Sequence, residues 1–399
     1  MNITPQAPSS PARFALFALG FRPFFTAAAL FAVLSIAIWT ALFTFGVALS
    51  APVMGGILWH AHAMVFGYAM AVIAGFLLTA VGNWTGVPGL RGAPLAALLV
   101  AWLSARVLTF VPWEHALILA AAADGLFILG LIAAVLGPVL KVRQWAQTGI
   151  IAKLVLMGAA NIAFYTGAAD YLNDGGRTGV FAGLYLILAL VFTMARRVLP
   201  PFTSNGVDGP YEARNRRWVD VSSLVLFLAW ALLDLFTPWT TVGAVLSALL
   251  AVVHAIRLRD WYTVGIWRKP LLWVLHLGYA FLVLGFALKA LAGLGLATQS
   301  LALHAFTFGG LGLMTLGMMA RVSLGHTGRN VFAPPAVLNP MFSTLALGAV
   351  IRVFGPWLLP GQYMLWIGLS QALWIIAFSG FLVIYLPVLA KPRVDGKPG

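Results

Sequence analysis

Two histidines stand two residues apart in Trp59-His60-Ala61-His62-Ala63-Met64, where an apolar stretch long enough to cross a bilayer begins. Imidazole in hydrocarbon costs free energy unless it has a partner, so this pattern points to a metal, a cofactor or a proton relay. The chain holds seven histidines and no cysteine, so His and Met are its main metal-binding side chains. The same absence excludes a disulfide scaffold, a thiolate metal site and covalent attachment of a c-type haem. Any haem must therefore be held without a covalent link, as b-type haem is.

At about 100° per residue, His60 and His62 point about 200° apart on a regular helix and cannot both face one ion. His60 shares its face with Met64, a nitrogen and sulfur pair suited to copper, Cu(I) in particular. His62 then faces the interior at a depth similar to His304, and the two are expected as axial ligands of one b-type haem, with a hydrogen-bonded core histidine as the alternative for each. His276 and His326 form a possible inner pair for a second metal or for protons, with loop anchoring as the alternative. His115 and His254 read as interfacial and without a role. Arg106, Lys289 and Arg352 either snorkel to the interface or serve as cationic partners of haem propionates, which Arg binds bidentately. Asp124 and Asp234, inside spans, are either proton-relay groups or partners of those cations. The glycine-rich run Phe308-Gly309-Gly310-Leu311-Gly312 reads as close helix packing or as space cleared for a macrocycle beside His304. Met314 and Met318 read as core rather than as ligands.

The elements that must position these residues are membrane helices. The chain is 62% apolar with only 9% charged residues, and its mean hydropathy of +0.97 is far above the soluble range. Twelve stretches can cross about 30 Å of hydrocarbon: 24–48, 58–81, 93–111, 115–137, 148–169, 176–197, 217–236, 240–257, 271–291, 300–321, 338–359 and 363–388. The expected fold class is an all-α integral membrane protein, about twelve transmembrane helices in a compact bundle. One polytopic domain spans 1–399, as a six-helix half (1–198), a cytoplasmic loop (199–217) marked by Pro200-Pro201 and Asp208-Gly209-Pro210, and a second half (218–399). The polar stretch Met1 to Pro11 before the first span resembles a signal peptide, but the apolar run is too long for one and is read as a retained helix.

The net charge of +14 could suggest a polyanionic partner, but its distribution excludes nucleic acid. With the N-terminus inside, only Arg106, Arg177, Lys289 and Arg352 of the 24 Lys and Arg residues fall on the outer side. This is the positive-inside pattern, with both termini cytoplasmic.

Several of these segments carry a resemblance. Gly20-Phe21-Arg22-Pro23-Phe24-Phe25, Trp59 to Gly67, Ala74-Gly75-Phe76-Leu77-Leu78-Thr79-Ala80, Asn83-Trp84-Thr85-Gly86 and Arg321-Val322-Ser323-Leu324-Gly325-His326-Thr327-Gly328-Arg329 closely resemble the NnrS family over about residues 13 to 390. The resemblance implies a twelve-helix protein of the bacterial inner membrane that contains haem and copper and acts in denitrification and resistance to nitric oxide. The chain departs from the family's motif at Ala63, where a Glu follows the second histidine; a carboxylate there could orient a histidine or move protons.

Three functions compete. The first is a haem- and copper-binding protein that binds, senses or converts nitric oxide or iron-nitrosyl species, served by a membrane electron donor if it is redox-active. The second is a transporter of a metal, haem or small metabolite without a fixed cofactor. The third is a relative of haem–copper oxidases, disfavoured because the oxidase-style pair of adjacent histidines on one helix is absent. The charge split also makes a direct prediction: alkaline phosphatase fused after Gly399 should be inactive, and an active fusion would invert the topology.

Overall fold

The computed structural model of the protein describes residues 14–47 and 54–397; Met1 to Pro11 and Arg13 lie outside them. Twelve helices make up the described chain, and no strand is present among the described residues. They are α1 (Phe21–Thr44), α2 (Gly56–Thr85), α3 (Ala93–Leu108), α4 (Ala116–Lys141), α5 (Thr148–Ala168), α6 (Gly175–Gly206), α7 (Arg217–Phe236), α8 (Thr240–Trp261), α9 (Pro270–Gly293), α10 (Gln299–His326), α11 (Leu338–Leu358) and α12 (Tyr363–Ala390). All except α3 are long and apolar enough to cross a membrane.

Two boundaries differ from the sequence reading. The third helix ends at Leu108 instead of 111, because the Thr109 hydroxyl donates to the Arg106 carbonyl and Pro112 disfavours helix in the residue before it. Its 16 residues reach only about 24 Å. The expected loop 199–217 is half helix, since α6 continues through Pro200 and Pro201 to Gly206. Prolines there cannot donate to the carbonyls one turn back. The Arg196 carbonyl, which Pro200 leaves without an amide donor, instead accepts from the Asn215 side chain at 3.3 Å. The remaining connection is tied to the end of α8: Arg216 forks onto Asp260 at 2.7 and 3.0 Å, and Tyr211 donates to the Tyr262 carbonyl.

Consecutive helices pack as neighbours, α5 with α6, α8 with α9 and α11 with α12, while α1 also packs on α12 and joins the ends of the chain. The centre is formed by α2, α9 and α10. Their most apolar windows are 83%, 72% and 72% buried, against 28% for the peripheral α7. These three helices carry five of the seven histidines. Tyr68 links α2 to α10 through a 2.6 Å hydrogen bond to Thr315, and its ring meets Trp374 and Phe378 of α12 edge-on.

Two of the central helices are underwound locally. Residues Ala63–Ala69 of α2 and Ala305–Gly312 of α10 form π-helical turns, each beginning directly after a histidine. Such turns rotate the following residues relative to a regular helix and recur at functional sites. The glycines in the α10 segment are packing positions: a side chain at Gly309 would enter Phe281, one at Gly310 Leu282, and one at Gly312 Trp374. The space they free is filled by neighbouring helices, so the reading of cleared room for a macrocycle fails here. Met314 packs on Gly278 of α9, as a core residue.

Lipid chains are as apolar as the helices, so helix contact relies on close van der Waals fit. On α6, a Cβ at Gly179 would lie 2.5 Å from the Ala160 carbonyl oxygen and the Phe164 nitrogen, both immobile backbone of α5. At Gly137 of α4 nothing lies within 4 Å. Gly179→Ala should therefore lower the thermal midpoint in detergent, by an overpacking cost of about 1–3 kcal/mol. Gly137→Ala should leave it equal or higher, since alanine is the better helix former. Equal midpoints for the two variants would refute the close-contact account of α5 and α6.

Candidate functional site

At the end of the bundle where α2 begins, His60 of α2 stacks on Trp39 of α1 with the rings 4.5 Å apart and nearly parallel. One turn on, the Met64 sulfur accepts from the Ser35 hydroxyl of α1 at 3.7 Å. The two residues thus share the face expected of them, against Ser35 and Trp39, themselves one turn apart. His60 lies close enough to Arg352 of α11 and His304 of α10 to act on both electrostatically. Its Nδ1 is buried without a hydrogen-bond partner.

His304 is held more tightly. Its Nδ1 meets the Ser300 carbonyl at 2.7 Å, and its Nε2 meets Arg352 Nη2 at 3.0 Å. A carbonyl only accepts and a guanidinium only donates, so Nδ1 carries the proton and Nε2 presents its lone pair. That is the tautomer of a metal-binding imidazole oriented by a backbone carbonyl. Arg352 is buried, and its Nη1 lacks a hydrogen-bond partner.

His62 sits in a different cluster. Its Nε2 faces Asn161 Oδ1 of α5 at 3.0 Å and Asp124 Oδ2 of α4 at 3.5 Å. Asp124 pairs with Arg106 of α3 and accepts from Tyr165 of α5 at 2.9 Å, while Phe164 stacks on the imidazole at 4.3 Å. Two acceptors around Nε2 place the proton on that nitrogen, which leaves it no lone pair for a metal. The structure therefore does not join His62 with His304 as a ligand pair. It is His60 that approaches His304, because His62 is turned towards α4 and α5.

The other cations also have partners. Lys289 of α9 pairs with Asp234 of α7 at 2.8 Å and donates to Gln299, and Tyr185 of α6 donates to the same carboxylate. Asp124 and Asp234 are thus the partners of Arg106 and Lys289, which supports that alternative over free relay groups. Arg106 and Lys289 already hold carboxylates of the chain, whereas among the described residues no carboxylate pairs with Arg352; N–H groups without a hydrogen-bond partner remain on Arg106 (Nε and Nη1) as well as on Arg352 (Nη1). A cavity of about 990 Å³ opens beside the Lys289 pair, with Arg177, Tyr185, Trp239 and Phe306 in its walls.

The inner pair is not assembled. His276 of α9 is spent on the Leu272 carbonyl (2.9 Å), the Trp261 carbonyl (3.2 Å) and the Thr203 hydroxyl (3.4 Å). His326 lies against the Phe21 ring, and its carbonyl accepts from Arg393. One histidine thus points towards α6 and α8, the other towards α1 and the C-terminal segment. His254, expected at the interface, is completely buried: Tyr279 and Ser223 take its two nitrogens at 2.6 and 3.2 Å, and Phe192 and Phe286 stack on it. His115 is exposed beside Glu114, as expected. Asn161 and Tyr165 were missed by the sequence reading, although a polar residue inside the 148–169 span is itself a signal. Among the described residues, no three His, Asp or Glu side chains converge on one metal position.

The fold and this arrangement define a multi-pass, all-helical membrane protein with ionisable side chains concentrated on and around its central helices. The chain belongs to the NnrS family: the family's model, described as NnrS protein, matches residues 15–393 of 399. No curated protein matches it.

The Arg106–Asp124 pair supports a stability prediction. Asp124→Asn leaves a buried guanidinium without its counter-charge, and breaking such a pair costs about 3–5 kcal/mol. The double variant Arg106→Met with Asp124→Asn removes the stranded charge and should recover most of the lost thermal midpoint. A double variant no more stable than the single one would show that the ion pair is not what holds α3 against α4.

Proposed function

We propose that the protein binds b-type haem and copper in the outer half of the bundle and acts in the response of a bacterial inner membrane to nitric oxide. The observation that carries this reading is His304: its proton is pinned to the Ser300 carbonyl and its Nε2 lone pair is turned towards Arg352 and the His60 neighbourhood. A haem needs an axial base and a cation for its propionate, and His304 and Arg352 are the residues of that chemistry here. Haem ligated by both His62 and His304 does not fit, since His62 Nε2 holds its proton against Asn161 and Asp124. For copper, His60 Nδ1 and the Met64 sulfur lie on one helix face, and Cu(I) accepts both donor types. A bound haem would supply an iron centre with affinity for nitric oxide, an apolar gas that partitions into the bilayer around it. The role in nitrosative stress and denitrification, the inner-membrane location and cytoplasmic termini, and any membrane electron donor rest on family membership and the charge distribution.

A second reading, transport of a small metabolite without a fixed cofactor, is favoured by the 990 Å³ cavity with Arg177, Asp234 and Lys289 in its walls. Visible spectra of the purified chain, oxidised and reduced, separate the two: b-type haem bands support the first, and a colourless folded protein supports transport. Within the first reading, His304→Ala should remove most haem. His60→Ala should lower copper more than haem, and Met64→Leu should give a smaller copper loss, because a thioether binds more weakly than imidazole. Wild-type haem in His304→Ala, or wild-type copper in His60→Ala by elemental analysis, would overturn the corresponding assignment.

A further inference from the structure

At the opposite end of the bundle, three sequence-distant segments bring arginines together. Arg22 begins α1, Arg329 follows α10, and Arg393 follows α12. The three guanidiniums are close enough for Arg329 and Arg393 to act electrostatically on Arg22, and Arg393 acts likewise on His326. Like charges gather at such range only where the fold enforces it or an anion offsets it.

The fold does enforce it. Arg22 is completely buried and donates to the Leu389 and Lys391 carbonyls at 2.7 Å each, capping the end of α12. The C-terminal segment lies along the Gly325-to-Arg329 loop: the Val394 amide donates to the Thr327 carbonyl, and Arg393 donates to the His326 carbonyl. Among the described residues, one carboxylate enters this group. Asp395 takes a two-point contact from Arg393 at 2.9 and 2.6 Å, and rests where a side chain on Gly328, whose φ is +76°, would lie 2.8 Å from its carboxyl carbon. Arg393 holds the Asp395 carboxyl well below the usual carboxylate range, so it is an anion in the group. Arg329 and Arg393 against that one carboxylate leave an excess of positive charge. Arg329 has a buried Nη1 with no hydrogen-bond partner.

We propose that Arg22, Arg329 and Arg393 form a binding site for a phosphate oxyanion, with Asp395 as an internal carboxylate that partly occupies it. Guanidinium forks match phosphate as they match carboxylate, and a phosphate brings more oxygens than Asp395 can offer to the open N–H of Arg329. The site lies at the helix ends, where lipid headgroups sit, so a phospholipid of the same leaflet and a free phosphate share the recognised chemistry. It is independent of the histidine site in the other half of the bundle.

The test uses the full chain in neutral detergent, with its thermal midpoint followed at constant ionic strength. The probes are inorganic phosphate and short-chain phosphatidylglycerol, with chloride and short-chain phosphatidylcholine as controls. A saturable rise with either probe and with neither control is expected. A rise with phosphatidylglycerol alone identifies a lipid site, and a rise with phosphate a site for the free ion. Arg329→Gln should raise the half-saturating concentration at least fivefold, and Asp395→Asn should lower it several-fold by removing the competing carboxylate. The absence of a response in the wild type, or a wild-type response in Arg329→Gln, overturns the proposal. If Arg329→Gln does not fold, Asp395→Asn decides, and unchanged half-saturation in it overturns the proposal equally.

Discussion

A bilayer interior cannot solvate charge, and this constraint organises the bundle around side chains that neutralise one another across helices. Arg106 of α3 reaches Asp124 of α4, Lys289 of α9 reaches Asp234 of α7, and Arg257 of α8 reaches Asp220 of α7. Each pair ties two helices at a defined depth and rotation. In a medium where apolar surface gives helices no preference for each other over lipid, such pairs and the close glycine contacts supply much of the specificity. The tyrosine hydroxyls on Asp124 and Asp234 belong to the same arrangement, because a carboxylate in a low dielectric uses more than one donor.

The same constraint sorts the histidines. His254 and His276 have both nitrogens engaged by hydroxyls or carbonyls, and His62 has its Nε2 engaged by Asn161 and Asp124. Such residues are accounted for by packing and hydrogen bonding within the fold. His60 and His304 differ, one with a nitrogen left unmatched and the other with a lone pair met only by a guanidinium. Unmatched polar atoms in a buried place are costly, and they persist where a ligand or a reaction uses them.

Much of this was legible from composition and charge. Twelve helices follow from hydropathy, and the cost of burying charge made pairing with the intramembrane cations one of the two readings open for Asp124 and Asp234. The histidine partners did not follow, for a geometric reason. Topology gives a residue's depth, but a contact also needs the rotation of each helix about its axis. His60 and His62 differ by about 200° in that rotation, so choosing between them decides which neighbour His304 meets. Rotation is set by ties such as Tyr68 to Thr315 and Asn161 to His62, which join residues far apart in sequence. The π-helical turns from Ala63 and from Ala305 shift the phase of both helices further, and periodicity alone does not mark them. The continuation of α6 through Pro200-Pro201 was hidden likewise, because the donor that replaces one missing amide is Asn215.

The contrast between His62 and His304 shows why residue type at a given depth does not define a ligand. Both are imidazoles on central helices, and both directly precede a π-helical turn. Around His62 the acceptors are on Nε2, so the proton is there and the ring acts as a donor to Asp124 and Asn161. Around His304 the acceptor is on Nδ1 and the donor on Nε2, so the proton is on the other nitrogen and the lone pair faces the interior of the site. A single carbonyl, that of Ser300, sets this difference, and it belongs to the turn of α10 immediately before His304. The orientation of the His304 imidazole therefore depends on the regular helix of Gln299–His304 being kept up to the histidine, with the distortion confined to the residues after it.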